Sequence, residues 1–346
     1  MPEPVQLAVA AAQLRHNLVL GSDFLTDIPA PVYAVKPIIQ MAQVTAITAH
    51  PNHGKSAFTF LLVVGILTGY SIGPFTFKKG KVAILAGENV DNVKVQMMAA
   101  LLKYRVPRDL WENVVIYPIR KSLETATREV ILECAARNLG PFVAVIVDTS
   151  SAYFGGDDEN SNVDAQHQAS SLRALSCEQL GRPAVIVNCH PTKSAGRDNL
   201  VPRGGGAFIG ELDQNLTVWN DGGLLNVSYT KIRGAPFDPY TVALRDQDVG
   251  FSNGEVTQIP VAVPLNEQEE QDARRVHTEQ EAQVLAVVEQ MPDAPMSGWA
   301  EHLGWMLSDG KPNKTMVLRA LRRLEHDKKV SRVDGKWIID SGRKRK

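Results

Sequence analysis

From about residue 42 to residue 245, short apolar runs alternate with longer stretches of helical periodicity. Uninterrupted runs such as VAVIV at 143–147 and AVIVN at 184–188 are typical of strands buried on both faces. Similar runs occupy 44–49, 82–86, 114–118, 216–219 and 225–229. This alternation predicts an α/β fold with a mostly parallel sheet covered by helices.

The segments on either side of this pattern differ from it. Residues 1–40 are interpreted as an N-terminal segment, with a short helix over 5–20 followed by extended chain at Pro29, Pro31 and Pro37. The predicted core covers 41–245. Glycines and prolines then mark 246–264 as loop-like, and a linker is predicted over 246–277.

The last residues, 278–346, are predicted to form a separate small domain. Thr278 and Glu281 have the spacing of a capping box ahead of a first helix. Further helices are expected over 297–307 and 312–327. Two short strands around 330–333 and 336–339, joined by a turn, would complete the domain.

Charge is distributed unevenly along the 346 residues, although the formal net charge is only −1. Residues 265–309 contain 2 Lys+Arg against 10 Asp+Glu, whereas residues 310–346 contain 13 against 4. A basic end of this kind favours a polyanionic partner. Three cysteines and the lack of a long apolar run predict a reducing, cytoplasmic location without a membrane partner.

The most informative motif follows the first apolar run and precedes an apolar helix. It has the spacing of a phosphate-binding P-loop, with alanine in place of the first glycine and two histidines in place of small residues. In such a loop backbone N–H groups bind phosphate oxygens, Lys55 reaches the terminal phosphates and Ser56 ligates Mg²⁺. A chance match in an ordinary strand–turn–helix is the alternative. The predicted ATP-binding residues are Ala49, His50, Pro51, Asn52, His53, Gly54, Lys55, Ser56 and Ala57.

Two carboxylates at strand ends complete the predicted chemistry. Asp148 ends the run VAVIVD about 90 residues after the loop and is expected to hold the Mg²⁺ together with Ser56. Glu88 follows the run VAILAG, where a carboxylate can take a proton from an attacking water. The alternative for Glu88 is an acid that stabilises a helix N-terminus.

A P-loop, then Glu, then Asp at successive strand ends is the order of RecA-like ATPases. Over roughly residues 25–245 the chain resembles the RepA-like branch, which includes hexameric replicative helicases of plasmids, phages and mobile elements. The motifs that carry the resemblance are AHPNHGKS, AGEN, VDTSSAYFGGDDEN, VNCHPTK, RGGGA and KIRG, in that order. The resemblance implies a RecA-like P-loop NTPase core that hydrolyses ATP with Mg²⁺ and assembles as a homo-oligomer, a hexamer in the helicases.

The resemblance also assigns roles by position. His190, at the end of a strand, would sense the γ-phosphate, although a polar residue is also ordinary at a strand end. Lys231 and Arg233 match a basic pair that acts in trans on the neighbouring subunit's nucleotide; a solvated strand end is the alternative. The catalytic set is thus Lys55, Glu88, Asp148, His190 and Arg233.

Two loops are expected to face single-stranded DNA in a central channel. One, residues 154–168, is acidic, and the other, residues 192–206, carries Lys193, Arg197 and Arg203 among glycines. Cations on such a loop suit a DNA backbone, and they equally suit any exposed loop. Arg203 has the further alternatives of facing phosphate or a neighbouring subunit.

The small basic domain has the element plan of a winged helix. Its third helix and predicted wing would present cations to duplex DNA, while a protein contact or a merely solvated face are the alternatives. These cations are Lys314, Arg319, Arg322, Arg323, Arg332 and Lys336.

Three functions compete on this sequence. The first is a DNA-dependent ATPase motor, a RepA-like hexameric DNA helicase. The second is a RecA-like recombinase or recombination mediator that forms filaments. The third is an ATP-switched DNA-binding regulator in which the small domain selects the site.

Overall fold

The computed structural model of the protein describes residues 20–26, 30–159, 161–192, 195–307, 310–326, 328–333 and 335–340. The chain divides into two compact units, Met1–Pro264 and Leu265–Lys346. The helix predicted over 5–20 falls almost entirely outside the described residues, as does the basic stretch 343–346. No helix in the described part of the chain combines the length and apolar character needed to cross a membrane.

The first unit contains a small sheet and a large one. Its strands are β1 (Tyr33–Lys36), β2 (Ile39–Gln40), β3 (Val44–Thr48), β4 (Thr76–Phe77), β5 (Lys81–Ala86), β6 (Val114–Tyr117), β7 (Phe142–Asp148), β8 (Ala184–Cys189), β9 (Gln214–Asp221), β10 (Leu224–Ile232), β11 (Tyr240–Gly250) and β12 (Val256–Pro264). Strands β2, β1 and β4 form the small antiparallel sheet. Part of the N-terminal segment predicted as extended therefore pairs into a sheet.

Among the described residues, nine strands form the large sheet in the order β12-β11-β10-β9-β3-β8-β7-β5-β6. The six strands from β9 to β6 are parallel, and β10, β11 and β12 extend the sheet in antiparallel fashion. All residues of β3, β7 and β8 are buried, which explains their uninterrupted apolar sequences. The predicted mostly parallel sheet is confirmed.

Helices cover both faces of this sheet. The helices of the first unit are α1 (Gly21–Phe24), α2 (Lys55–Thr68), α3 (Val90–Lys103), α4 (Leu123–Arg137), α5 (Asn162–Ala174) and α6 (Gly205–Glu211), with 3₁₀ turns at Arg108–Asn113, Ser151–Tyr153, Glu178–Leu180 and Arg197–Asn199. One apolar core joins α2 and α3 to the sheet, and a second joins α4, α5 and α6. Because the strands are parallel, their carboxyl ends meet at one edge, where ligands of α/β folds bind.

The prediction of a loop-like linker over 246–264 is wrong. These residues form the end of β11 and all of β12, whose hairpin pairs from Val242 with Pro264 to Gly250 with Val256. Side chains of β12 alternate between exposed and partly buried over 256–260, Val261 and Ala262 are buried, and prolines lie within and at the end of this edge strand. Edge strands tolerate proline because one row of backbone groups is unpaired, so the prolines indicated a loop where an edge strand forms.

The second unit contains three helices and a hairpin. They are α7 (Glu267–Gln290), α8 (Met296–His302), α9 (Lys314–His326), β13 (Val330–Val333) and β14 (Lys336–Ile339). Its own core includes Trp299, Leu321 and Trp337. The elements follow the predicted order, but α7 begins eleven residues before the predicted Thr278 cap. Asn266 and Glu269 form the capping box instead, so 267–277 is helix and not linker.

Candidate nucleotide-binding site

The predicted phosphate loop lies between β3 and α2, at the carboxyl edge of the sheet. Residues 49–54 form the loop, and α2 begins at Lys55. Gly54 has a φ of 76°, and a Cβ at this position would lie 2.6 Å from Leu225 Cδ2. Glycine is therefore required here by backbone conformation and by the close approach of β10. Ser56 and Ala57 are partly buried in the first turn of α2.

Lys55 is held inside the site. Its side chain is 7% exposed, and Nζ donates to the backbone oxygen of Cys189 at 3.3 Å. Burial lowers the pKa of Lys55, and the nearby Asp148 carboxylate opposes this shift. The ammonium group thus meets only a carbonyl oxygen as its hydrogen-bond acceptor among the described residues, a weaker partner than a phosphate.

Asp148 ends β7 and is connected to helix α2 through Asn188. Asn188 Nδ2 donates to Asp148 Oδ1 at 3.0 Å, and Asn188 Oδ1 accepts from Thr59 Oγ1 at 3.0 Å. Burial raises the pKa of Asp148 against the effects of Asn188 and Lys55. A buried carboxylate with few donors around it favours a cation, and the hydroxyl of Ser56 and the carboxylate of Asp148 are the oxygen ligands that Mg²⁺ prefers.

Glu88 lies after β5 and is bonded from two sides. Thr149 Oγ1 donates to Glu88 Oε1 at 2.6 Å, and His190 Nε2 lies 3.5 Å from the same oxygen. The hydrogen bond with His190, helped by Thr149 and Lys55, lowers the pKa of Glu88 to about 2, although burial opposes the shift. Glu88 is therefore an ionised proton acceptor at neutral pH, and the structure brings it together with His190.

Sequence analysis did not identify the polar residues that connect these groups. Asn188 is fully buried inside β8, and Thr59 is 2% exposed inside α2. Thr149 supplies the shortest hydrogen bond to Glu88. A polar residue within an otherwise apolar strand, as in AVIVNC, is the pattern that could have indicated Asn188, because buried polar groups require partners. The partners themselves come from other strands and were not visible in the sequence.

Lys231 and Arg233 lie far from this loop in their own chain. The register pairs Ile232 with Gln214 and Gln214 with Thr45, which is the amino edge of the sheet. Lys231 Nζ donates to the backbone oxygens of Ile209 and Gly210 at 2.6 and 2.7 Å. Arg233 donates to Gly210 at 3.0 Å and forms an ion pair of 3.3 Å with Asp213. The basic pair thus caps the carboxyl end of α6 and does not approach its own phosphate loop.

The two predicted channel loops are shorter than expected, because helices begin within both ranges. Residues 162–168 belong to α5, so the acidic loop ends at about residue 161. Ser161 caps this helix by accepting from Asp164 N, which the predicted loop did not anticipate. Arg203 Nη1 lies 3.8 Å from Glu159 of the acidic loop. Arg197 begins a 3₁₀ turn, while Lys193 lies outside the described residues.

His190 is connected to the second of these loops. Its backbone oxygen accepts from Arg203 N at 3.0 Å. His190 and Arg203 also line one cavity of about 20 Å³, which is enough for a single water. The residue that contacts Glu88 therefore also contacts the loop predicted to bind DNA.

The basic residues of the second unit fall into two groups. Lys314, Arg322 and Arg332 are exposed, and Lys336 forms an exposed ion pair of 2.7 Å with Asp293. Arg323 differs, because its Nε donates to Glu281 of α7 at 2.8 Å and its side chain is only 24% exposed. Arg319 lies on α9, and its side chain is not among those described.

Comparison with known proteins gives a family. A protein-family model described as an AAA domain matches residues 10–196, more than half of the chain. Among solved structures, one ATPase domain is similar with 14% identity and a TM-score of 0.44, covering 65% of this chain and 85% of that one. No curated protein matches the sequence. The RecA-like P-loop core and the family match lead to one conclusion: the chain belongs to the AAA-domain family and is a P-loop ATPase.

Proposed function

We propose that the protein is a DNA-dependent ATPase motor, a hexameric DNA helicase of the RepA-like branch. The observation that carries this proposal is the position of His190. It contacts the candidate catalytic base Glu88 on one side and the loop that holds Arg203 on the other. A motor requires such a connection, because ATP hydrolysis has to change the affinity of the protein for DNA.

In this proposal ATP binds at the carboxyl edge of the sheet. Backbone N–H groups of residues 52–56 and the amino end of α2 hold the phosphates. Lys55 exchanges the carbonyl oxygen of Cys189 for a phosphate oxygen, a stronger charged acceptor. Ser56 and Asp148 hold Mg²⁺, which when bound neutralises charge on the β- and γ-phosphate oxygens.

Glu88 then accepts the proton of the attacking water. It is ionised at neutral pH, and Thr149 fixes the orientation of the carboxylate. One carboxylate oxygen, Oε1, accepts the hydrogen bonds from Thr149 and His190, which leaves Oε2 for the water. The contact with His190 is longer than that with Thr149, so it is the one that a change at the γ-phosphate can most easily alter.

Arg233 has a role only if subunits assemble. In its own chain it lies at the opposite edge of the sheet from the phosphate loop, about 15 Å away at 3.3 Å per strand residue. It therefore reaches a nucleotide only across a subunit interface, where an arginine stabilises charge in the transition state. To do so it has to give up its bonds to Gly210 and Asp213.

The second unit supports a DNA contact of a different kind. Three helices followed by a hairpin form the element plan of a winged helix, and exposed cations on α9 and the hairpin suit duplex phosphates. This observation favours a second candidate function, an ATP-switched DNA-binding regulator. In that case duplex binding by the second unit, and not movement on a single strand, would be coupled to ATP.

Steady-state ATP hydrolysis with and without single-stranded DNA, together with oligomer mass on the same samples, tests the proposal. We expect at least tenfold stimulation by single strands and a mass that corresponds to a ring. Hydrolysis that is indifferent to single strands, with tight duplex binding, would instead support the regulator. Filaments on DNA with strand pairing would support the recombinase.

A further inference from the structure

Three aromatic rings meet on the phosphate loop. Trp219, near the end of β9, packs edge-to-face with His53 at a centroid distance of 4.7 Å and with His50 at 5.9 Å. The two histidine rings lie 5.5 Å from each other. These histidines replace the small residues usual in such a loop, so the cluster is a property of this chain.

Each histidine also connects the loop to a different neighbour. His50 Nε2 lies 2.9 Å from the backbone oxygen of Ala195, and because a carbonyl can only accept, this nitrogen donates. His53 Nδ1 accepts from the backbone N–H of Asn220 at 3.3 Å. Ala195 lies in the segment after β8, and Asn220 belongs to β9, so the loop is bonded to β9 on one side of β3 and to the segment that follows β8 on the other.

The turn that carries Trp219 is itself well defined. Asn220 Oδ1 accepts from Gly223 N at 2.8 Å, and Gly222 and Gly223 adopt φ angles of 63° and 89° that favour glycine. Trp219 pairs with Asn226 of β10 across this hairpin. The indole ring is therefore presented to the phosphate loop from a fixed backbone.

We propose that Trp219 is a positioning residue that holds the phosphate loop, through His53 and His50, in the conformation that binds nucleotide. The inference rests on the proposed binding of ATP by this loop. A backbone cradle binds phosphate well only if its N–H groups are already aligned, because ordering a loop on binding costs affinity. Edge-to-face contacts of Trp219 with His53 and His50 supply that order.

Binding of ADP with Mg²⁺, measured by calorimetry on the full chain, tests the proposal. We expect Trp219→Leu to weaken binding about tenfold, or about 1.4 kcal/mol. Trp219→Phe keeps the ring contact and is expected to stay within about threefold of the wild type. In hydrolysis, Trp219→Leu should raise KM with kcat nearly unchanged, as for a loss of binding common to ground and transition states.

Two further variants separate positioning from a general loss of stability. Trp111→Leu removes another tryptophan of the first unit, one that donates to Val106 O and precedes the edge strand β6; it should lower Tm without changing ADP affinity. His53→Leu leaves β9 intact and should weaken ADP binding like Trp219→Leu. The double variant should be weakened by less than the sum of the two single effects, because both changes remove the contact between Trp219 and His53.

The possible results are distinct. Wild-type affinity in Trp219→Leu, or in His53→Leu should the tryptophan variant not fold, overturns the positioning role and leaves the ATPase proposal intact. Strictly additive effects in the double variant overturn it as well. If the wild type itself binds neither ADP nor ATP, the proposed function fails and the inference fails with it.

Discussion

The two edges of the large sheet both hold cations on backbone carbonyls, but their surroundings differ. At the carboxyl edge, Lys55 donates to Cys189 O beside the amino end of the 14-residue helix α2. At the amino edge, Lys231 and Arg233 donate to the last carbonyls of α6, next to the acid Asp213. A helix amino end attracts anions, whereas a helix carboxyl end and an acid are satisfied by cations. The cation at the carboxyl edge is therefore suited to a phosphate, whereas the similar cations at the amino edge cap a helix.

The largest effect is expected from removing the Lys55 side chain at the carboxyl edge of the sheet. Lys55→Ala should abolish hydrolysis and lower ATP affinity at least about 100-fold, because it removes a buried cation at the amino end of α2, where the phosphates are proposed to bind. Lys94→Ala, an exposed lysine of α3, is the matched control and should leave both unchanged. Nucleotide binding and steady-state turnover measure both quantities. Retained turnover in Lys55→Ala would remove the phosphate-loop assignment.

The amino edge gives the next largest effect. Arg173 and Arg233 both pair with Asp213, at 3.1 and 3.3 Å, so Arg173→Ala is a matched control for Arg233→Ala. Both should lower the free energy of unfolding by about 1–2 kcal/mol. If Arg233 completes a neighbour's site, only Arg233→Ala should also lower kcat, by about 10³. Equal kcat in the two variants would leave the pair with its helix-capping role alone.

Two neighbouring cations of the second unit, Arg322 and Arg323, also differ in their surroundings. Arg322 is exposed, whereas Arg323 donates to Glu281, whose side chain is 14% exposed. Arg322→Ala should weaken duplex binding about three- to tenfold, and less at high salt, with little change in stability. Arg323→Ala should instead destabilise the unit by about 1–3 kcal/mol, since it leaves Glu281 without this partner. Fluorescence anisotropy with duplex DNA and thermal unfolding distinguish the two. If Arg323→Ala weakened duplex binding and Arg322→Ala destabilised the unit, the DNA-binding surface would include Arg323 and not Arg322.

The smallest effect concerns the protonation of Glu88. Its pKa is about 2 in the folded protein, against an ordinary value of 4.5. A carboxyl group whose pKa is lowered by folding stabilises the folded state above about pH 4.5. This contribution is lost as the pH falls towards 2. The Tm difference between wild type and Glu88→Gln should therefore be constant above pH 5 and shrink below it. Because the side chain is 48% exposed, we expect a difference of at most about 3 °C. A Tm difference that grows as the pH falls would contradict the lowered pKa of Glu88.

Much of the fold could be predicted from local pattern. Fully buried strands such as β7 and β8 are apolar throughout most of their length, so their sequences identify them without knowledge of their partners. The hairpin of β11 and β12 could not be predicted in this way. An edge strand is solvated on one side and accepts proline and charge, so its sequence is like that of a loop.

The residues of the candidate site also include some that could be predicted from the sequence and some that could not. Lys55 was predicted from the fixed spacing of the P-loop motif, and Glu88 and Asp148 from their positions at the ends of apolar strands. Asn188, Thr149 and Trp219 were not, because each acts through a residue on another strand. Arg323 was predicted to contact DNA because it lies off the apolar stripe of α9, yet α7 supplies Glu281 as its partner.

The sequence by itself determined the α/β class, the strand ends that carry the chemistry and the phosphate loop, because these depend on residue type and local spacing. The tertiary structure alone decided which polar groups pair. Strand order brings β8 and β9 to either side of β3, and so places Trp219 and Ala195 against the phosphate loop and Asn188 between Asp148 and α2. It also places Lys231 and Arg233 at the far edge. Hydrogen bonds and charges act over a few ångströms, and only the folded chain fixes distances on that scale between residues far apart in sequence.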